Sequence, residues 1–212
     1  MVARRSRPSS SSAAGARPAE DAADDLRLAT AAADGDRGAF HQLYCHHLPA
    51  VYARLTLMIG PVPERDDLVQ QIFLDVYQAL PRFRGEARFS TFLHRITVNV
   101  ACDHLERGHR GRQRQLPLAD EDLDRLVAPG ASPEARAQQR QELAQVFEHL
   151  EAVRPKKRVA FVLVAVQGVS LEQAAELLGA SAETVKQRVL HARKEISARL
   201  ARAAARARAR TT

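Results

Sequence analysis

Apolar residues recur at helical spacing through most of the chain. Phe40, Leu43, Tyr44, His47 and Val51 share one such series, and Leu48, Tyr52 and Leu55 another. Gly60, Pro61 and Pro63 end that run. Asp66 and Asp67 follow, where the first turn of a helix favours carboxylates. The helix they open is predicted from about 67 to 80, stopping at Pro81. Its apolar side carries Leu68, Val69, Ile72, Val76 and Leu80. Its other side carries Gln70, Gln71, Leu74 and Gln78, a polar but uncharged face. After an irregular stretch holding Phe83-Arg84-Gly85-Glu86, Ser90 is the expected N-cap of a third long helix over about 91–107. Phe89, Leu93, Ile96 and Val100 give that helix one apolar stripe, and Val98, Cys102 and Leu105 a weaker one opposite. A helix with two apolar sides is sandwiched between neighbours or awaits a partner.

A second block shows the same period with sharper punctuation. Phe147, Leu150 and Val153 close one helix before Pro155, and an apolar helix over Val159 to Val166 is closed by Gly168. Ser170 and Gln173 have the spacing of a capping box, in which a hydroxyl and an amide satisfy free backbone donors at a helix start. Leu171, Ala174, Ala175 and Leu178 form the buried side. Gly179 suits a left-handed turn, and Ser181 can cap a helix running from 182 to about 200. Helix, glycine turn, helix is the arrangement in which the second helix enters the major groove of DNA. Val185, Val189, Ala192 and Ile196 would face the core. Glu183, Gln187, Leu190, His191 and Lys194 lie opposite, with Lys186 and Arg188 at the rims. Glutamine can bond adenine edges, lysine can reach guanine or phosphate, and leucine can cover a thymine methyl. An ordinary solvated amphipathic helix would show the same period but needs none of that chemistry.

These patterns divide the chain of 212 residues into zones. Residues 1–22, rich in Ser, Ala, Pro and Arg, read as a disordered arm. Residues 23–110 form the first helical domain. Residues 111–138 read as a linker, with Asp120, Glu121, Asp122 and Asp124 followed by Pro129-Gly130 and Pro133. Residues 139–200 form the second domain and 201–212 a basic tail. The fold class expected is all-α, two small helical domains joined by a flexible linker. The formal net charge of +7 favours a polyanionic partner. Cys45 and Cys102 are far apart and form no CxxC pair, which argues against a zinc finger or disulfide framework and fits a reducing cytoplasm. No apolar run approaches the ~18 residues of a membrane span, and the N-terminal arginines precede no apolar secretory segment.

Residues 66–110, DDLVQQIFLDVYQALPRFRGEARFSTFLHRITVNVACDHLERGHR, closely resemble region 2 of extracytoplasmic-function sigma factors of the sigma-70 family. There an acidic-Leu-Val-Gln helix precedes an aromatic-Arg-Gly loop and a helix of the form Thr-aromatic-Leu-x-Arg-Ile-x-x-Asn-x-x-x-Asp-x-Leu. Residues 158–196 resemble region 4, with its Gly-x-Ser and Leu-Gly-x-Ser-x-x-Thr-Val-Lys-x-Arg pattern. Phe92 stands where the family usually has Trp, and Ala174 where Ile is common. The linker is too short for the intermediate domain of larger sigma factors.

The resemblance implies a non-enzymatic, cytoplasmic subunit that carries RNA polymerase to promoters and helps open the strands. Asp67, Gln70, Gln71, Leu74 and Gln78 would dock on core RNA polymerase, whose β′ and β subunits are the implied partners. Phe83, Arg84, Arg88, Thr91, His94 and Arg95 would hold the melted minus-ten element of promoter DNA. Lys186, Gln187, Arg188, Leu190 and His191 would meet the minus-thirty-five element, with Arg188 and Arg193 on phosphates or intramolecular partners. Phe89 and Phe92 read as core, and Asn99 and Asp103 as structural partners. An anti-sigma factor is a further implied partner, for which the Val98, Cys102 and Leu105 stripe offers a surface. The acidic linker either passes through the polymerase cleft or is a soluble spacer, and the arginine-rich tail either attracts phosphate or frays.

Other classes fit less well. No P-loop, Rossmann glycines, HExxH or nucleophile motif is present, so no enzyme, cofactor or metal is implied. Cys45, His46 and His47 are consecutive, and helical neighbours point about 100° apart, so they cannot easily share one ion. A stand-alone helix-turn-helix regulator remains the alternative. It would need a dimer interface or receiver domain, and residues 66–110 offer neither.

Overall fold

A computed structural model describes residues 17–60, 62–111 and 132–211, and these are helical, without strands, as the periodicity predicts. The acidic cluster Asp120 to Asp124 and the first sixteen positions lie outside the described residues. The N-terminal half comprises α1 (Arg17–Ala33), α2 (Arg37–Ile59), α3 (Arg65–Ala79), a single 3₁₀ turn (Leu80–Arg82) and α4 (Phe89–Gly111). The C-terminal half comprises α5 (Pro133–Glu151), α6 (Pro155–Phe161) prolonged by a π turn (Val162–Val166), α7 (Leu171–Leu178) and α8 (Ala182–Thr211).

Local chemistry sets most of these ends. The Asp36 carboxylate accepts from the Gly38 and Ala39 amides at 2.8 and 3.0 Å and starts α2. Gly60, at φ 84°, ends it in a conformation that a side chain would strain. At the next corner the Arg65 guanidinium lies 4.2 Å over the Tyr52 ring. The Tyr52 hydroxyl donates to Asp66 at 2.8 Å, tying α2 to the start of α3. Ser170 accepts from the Gln173 amide at 3.2 Å, Gly179 adopts φ 56°, and Ser181 accepts from the Thr184 amide at 3.2 Å. The serine caps and the glycine turn of the helix-turn-helix are therefore those the sequence predicts.

Several boundaries differ from expectation. The described part of the predicted N-terminal arm, residues 17–22, belongs to α1. The third long helix begins at Phe89, not after Ser90: its first turn closes on the Arg88 carbonyl, which accepts from Thr91 and Phe92 at 3.0 and 3.1 Å. Pro133, read as linker, is the first residue of α5. Its missing N–H and fixed φ suit that position, and Ser132 caps the helix by accepting from Ala135 at 3.3 Å. Residues 201–211 continue α8 rather than forming a separate tail.

α1 is held on α2 by one buried polar contact. His47 Nε2 and Asp25 Oδ1 lie 2.9 Å apart, each residue 8% exposed. The core of this half holds Leu43, Leu55, Ile72, Val76 and Leu93, all fully buried. The C-terminal half has its own centre in Val159, Leu163, Ala174, Val185 and Ala192. The two halves are nonetheless in contact, and their apolar centres join across α4. Val98 is fully buried, Leu105 nearly so, and Cys102 half-buried. This second stripe of α4 is therefore covered by the chain itself and is not an open surface for an anti-sigma partner. Covering a valine of this kind contributes about 1.5–3 kcal/mol.

Polar groups also meet at this junction. Lys156 of α6 reaches Glu106 of α4 at 3.5 Å. Arg158 is 2% exposed and lies against Gly60, where a Cβ would sit 3.4 Å from its Nη2. Its Nε and Nη2 make no hydrogen bond, and burial pulls its pKa down to about 10 despite the opposing Glu151 charge. A buried cation so weakly compensated costs on the order of several kcal/mol. His94, half-buried beside Gln167, is held down to about 4 by burial and then by the Arg54 charge, with Gln167 opposing the shift.

Asp25→Ala would leave the buried His47 nitrogen without its carboxylate. It should cost about 1–3 kcal/mol in urea unfolding. His94 takes its proton near 6.5 when free but only near 4 in the fold. Its neutral form therefore supports the fold fully above pH 6.5, and that support is lost as pH falls from 6.5 towards 4. His94→Gln should flatten this acid limb in urea midpoints measured against pH.

Candidate functional site

The uncharged face of α3 lines a groove. Gln70 and Leu74 meet Arg37, Phe40, His41 and Tyr44 of α2 and Phe73 and Tyr77 of α3 around a concavity of about 620 Å³. Leu74 is 56% exposed and Tyr77 40%, an apolar surface left uncovered by the chain. Aromatic packing shapes the floor: Phe40 meets Tyr77 edge-on with centroids 5.0 Å apart, and Tyr44 meets Phe73 at 4.6 Å. Asp67, Gln71 and Gln78 are exposed on the same helix but do not line the groove. Gln71 instead donates to Asp75 at 2.6 Å. The α2 contribution was not evident from sequence, because Phe40 and Tyr44 fall in the same periodic series as the buried Leu43 and Val51.

The loop between α3 and α4 builds a second concavity of about 380 Å³. Its lining includes Arg82, Phe83, Arg84, Glu86, Thr91, Phe92 and Arg95 from the N-terminal half and Glu176 and Leu177 of α7. Phe83 packs on Phe92 with centroids 5.0 Å apart, and both pack on the buried Phe89. Gly85 presses this loop onto α1. It has φ 70°, and a Cβ there would lie 2.8 Å from Leu26 Cδ1. The arginines are exposed and the aromatic edges half-exposed, a combination able to stack a base and neutralise its phosphate. Arg88 is exposed outside this lining. His94 is not brought to it, because its position on α4 turns it to the junction with Gln167. Phe89 is core as expected, whereas Phe92 is half-buried and shared with the concavity.

α8 presents the third surface. Val185, Val189 and Ala192 are buried, leaving Lys186, Gln187, Leu190 and His191 outward. Leu190 is 42% exposed. In this state Gln187 donates to Glu183 at 2.9 Å, and Lys186 pairs with the same carboxylate at 3.5 Å. That pairing holds the Glu183 carboxyl below its usual pKa range, through the Gln187 bond first and the Lys186 charge second. Arg188 differs from its neighbours: it is half-buried, and its charge acts on Cys102 of α4. Lys157 to Glu195 at 2.6 Å and Arg199 to the Ala152 carbonyl at 3.4 Å fasten α8 to the rest of its half.

The consecutive Cys45, His46 and His47 do not act together. Cys45 Sγ lies 3.5 Å from His41 Nε2. Asp25, His46 and His47 bring ligand atoms within 4.8 Å of one another, but Asp25 and His47 already satisfy each other as the fastening of α1 on α2.

Comparison with known proteins accounts for both halves. Residues 43–111 match the Sigma-70 region 2 family and residues 143–196 the Sigma-70 region 4 family. The chain is 30% identical over 177 residues to the RNA polymerase sigma-H factor of Pseudomonas aeruginosa, covering 81% of this chain and 91% of that one. It is 32% identical over 173 residues to the ECF RNA polymerase sigma-E factor of Escherichia coli K12, covering 76% of this chain and 86% of that one. A solved structure of CnrH in complex with the cytosolic domain of CnrY is similar over 84% of this chain and 97% of that chain, at 30% identity and TM-score 0.56. Among the described residues no helix is long and apolar enough to cross a membrane. With region 2 and region 4 in order on one helical chain, and relatives of that kind along most of its length, the protein belongs to the extracytoplasmic-function group of the sigma-70 family and serves RNA polymerase in transcription initiation.

Proposed function

We propose that three surfaces divide the work of initiation. The groove of α2 and α3, centred on Gln70 and Leu74, docks on core RNA polymerase, with Asp67, Gln71 and Gln78 at its margin. Among its lining residues only Arg37 carries a fixed charge, which keeps the desolvation cost of burial low, and its aromatic floor offers the packing that anchors interfaces. The concavity of Phe83, Arg84, Thr91, Phe92 and Arg95 receives an unstacked base and its flanking phosphates from the opened minus-ten element, with Arg88 adding charge nearby. The exposed face of α8 reads the upstream element through Lys186, Gln187, Leu190 and His191. Arg188, turned towards α4 here, contributes a phosphate contact once the halves part. His94 has no direct role on the strand.

The observation that carries this reading is the joining of packed aromatics and exposed arginines of the region 2 segment in one concavity. The chain acts in the cytoplasm and performs no catalysis of its own; bond formation belongs to polymerase. CnrH is seen with the cytosolic domain of CnrY, and by analogy an anti-sigma protein restrains this chain. It would engage a surface other than the covered Val98, Cys102 and Leu105 stripe.

Run-off transcription from a promoter library, with and without this chain added to core polymerase, tests the reading. New transcripts that depend on the chain are expected, and their absence would refute it. Leu74→Arg places a charge in the docking groove at an exposed position, so the fold should survive. Core binding should weaken by about thirtyfold or more, which corresponds to roughly 2 kcal/mol. Gln187→Ala should change upstream-element preference by about 1–3 kcal/mol at one base position, read from transcript yields across the library.

A further inference from the structure

The contact that fastens α1 to α2 has a third member. His47 Nε2 and Asp25 Oδ1 lie 2.9 Å apart, and each residue is 8% exposed. His46 stands beside them, its ring meeting the His47 ring edge-on with centroids 4.7 Å apart. Helical neighbours point about 100° apart. Even so, one ligand atom from each of Asp25, His46 and His47 falls within 4.8 Å of the other two. Two imidazoles and a carboxylate thus converge from two helices. Cys45 is not in the group; its Sγ lies 3.5 Å from His41 Nε2.

We propose that Asp25, His46 and His47 form a site for a divalent ion of the zinc class, which clamps α1 onto α2. The site is independent of the surfaces assigned to polymerase and DNA. Donor chemistry selects the ion. Imidazole and carboxylate together suit divalent zinc, cobalt, nickel and copper, whereas calcium and magnesium take oxygen donors and monovalent copper prefers sulfur. Spacing agrees with this choice. Two donors each about 2.1 Å from an ion, at right angles around it, stand about 3.0 Å apart, near the separation of His47 and Asp25. The ion takes the place of the proton between that pair. His47 binds through Nε2, and a proton on that nitrogen leaves to solvent as the ion arrives. Asp25 is little screened by water, so a divalent cation beside it is attracted strongly. His46, exposed, supplies the entrance and the third donor, and water completes the coordination. Both buried ligands adjoin the loop between α3 and α4. Leu26, next to Asp25, is the side chain on which Gly85 is pressed. The His47 ring packs on Phe89 with centroids 5.2 Å apart, and Phe89 packs on Phe83 and Phe92. An ion held here therefore stiffens α1 and that loop together.

Zinc alone, added to the full-length chain after chelator treatment, is the probe. Calorimetry counts the ions bound, and amide hydrogen exchange follows α1. One ion per chain is expected, and exchange of the α1 amides around Asp25 should slow about tenfold or more. His46→Ala changes an exposed side chain outside the Asp25–His47 bond, so the metal-free fold should survive. It should weaken zinc binding about tenfold or more and abolish the slowing of exchange. Asp25→Asn keeps a hydrogen-bond partner for His47 but removes the charge, and should weaken binding likewise. Cys45→Ser and His41→Ala should leave zinc binding unchanged. Cobalt bound in place of zinc should show visible d–d bands without the near-ultraviolet absorption of a thiolate ligand. The proposal is overturned by no zinc binding, by binding that stays as tight in His46→Ala, by binding lost in Cys45→Ser, or by bound zinc that leaves α1 exchange unchanged.

Discussion

α4 has to be covered on both sides, and the rest of the molecule is arranged around that requirement. Phe89, Leu93 and Val100 turn one side to the N-terminal core, while Val98 and Leu105 demand cover on the other. An isolated N-terminal half would leave that second stripe in water. In the free chain, α6 and its neighbours supply the cover, and the two apolar centres become continuous. The docking groove on α2 and α3 lies on a different face and stays open, with Leu74 and Tyr77 exposed. The same packing that stabilises the chain therefore leaves open the groove proposed for polymerase while engaging the surfaces proposed for nucleic acid.

Charge follows the same division. Arginines gather where phosphate is expected, at Arg84 and Arg95 beside the aromatic cluster, and α8 carries Lys186 outward. Arg158 is the exception, a cation placed among apolar side chains where nothing in the established chemistry of the fold requires one. A junction filled by a methionine of similar volume would hold more firmly and release less readily.

Much of this was legible in the sequence. The caps and corner of the helix-turn-helix were readable because their signals are local: a serine three residues before the amide it caps, and a glycine at the left-handed corner; its buried side was read less well, since Leu177 rather than Leu178 is buried. The apolar period found α2, α3 and α4, while the two-sided pattern of α4 left open a sandwiched helix or one awaiting a partner, and the structure shows it sandwiched. What remained hidden depends on tertiary contact. Phe40 and Tyr44 share a period with core residues, so only the packed structure reveals that they wall a groove. His94 has the chemistry of a strand contact, yet its place on the helix turns it towards Gln167. Pro133 reads as a loop residue until Ser132 is seen capping the helix it begins. Glu176 carries no sequence signal at all, since its importance comes from the half of the molecule it faces.

The 30 residues of α8 make one continuous rod, about 45 Å long at the usual rise per residue. Its first half is seated by Val185, Val189 and Ala192 and fastened at Glu195 and Arg199. Beyond that lies a stretch of alanine and arginine, with Arg202 and Arg206 one turn apart. Like charges at that separation weaken a helix, and counter-ions relieve them. The outer half of the rod should lengthen or fray with ionic strength. Because it is coaxial with the groove-reading end, a polyanion captured there would act as a distant handle on how that end is aimed.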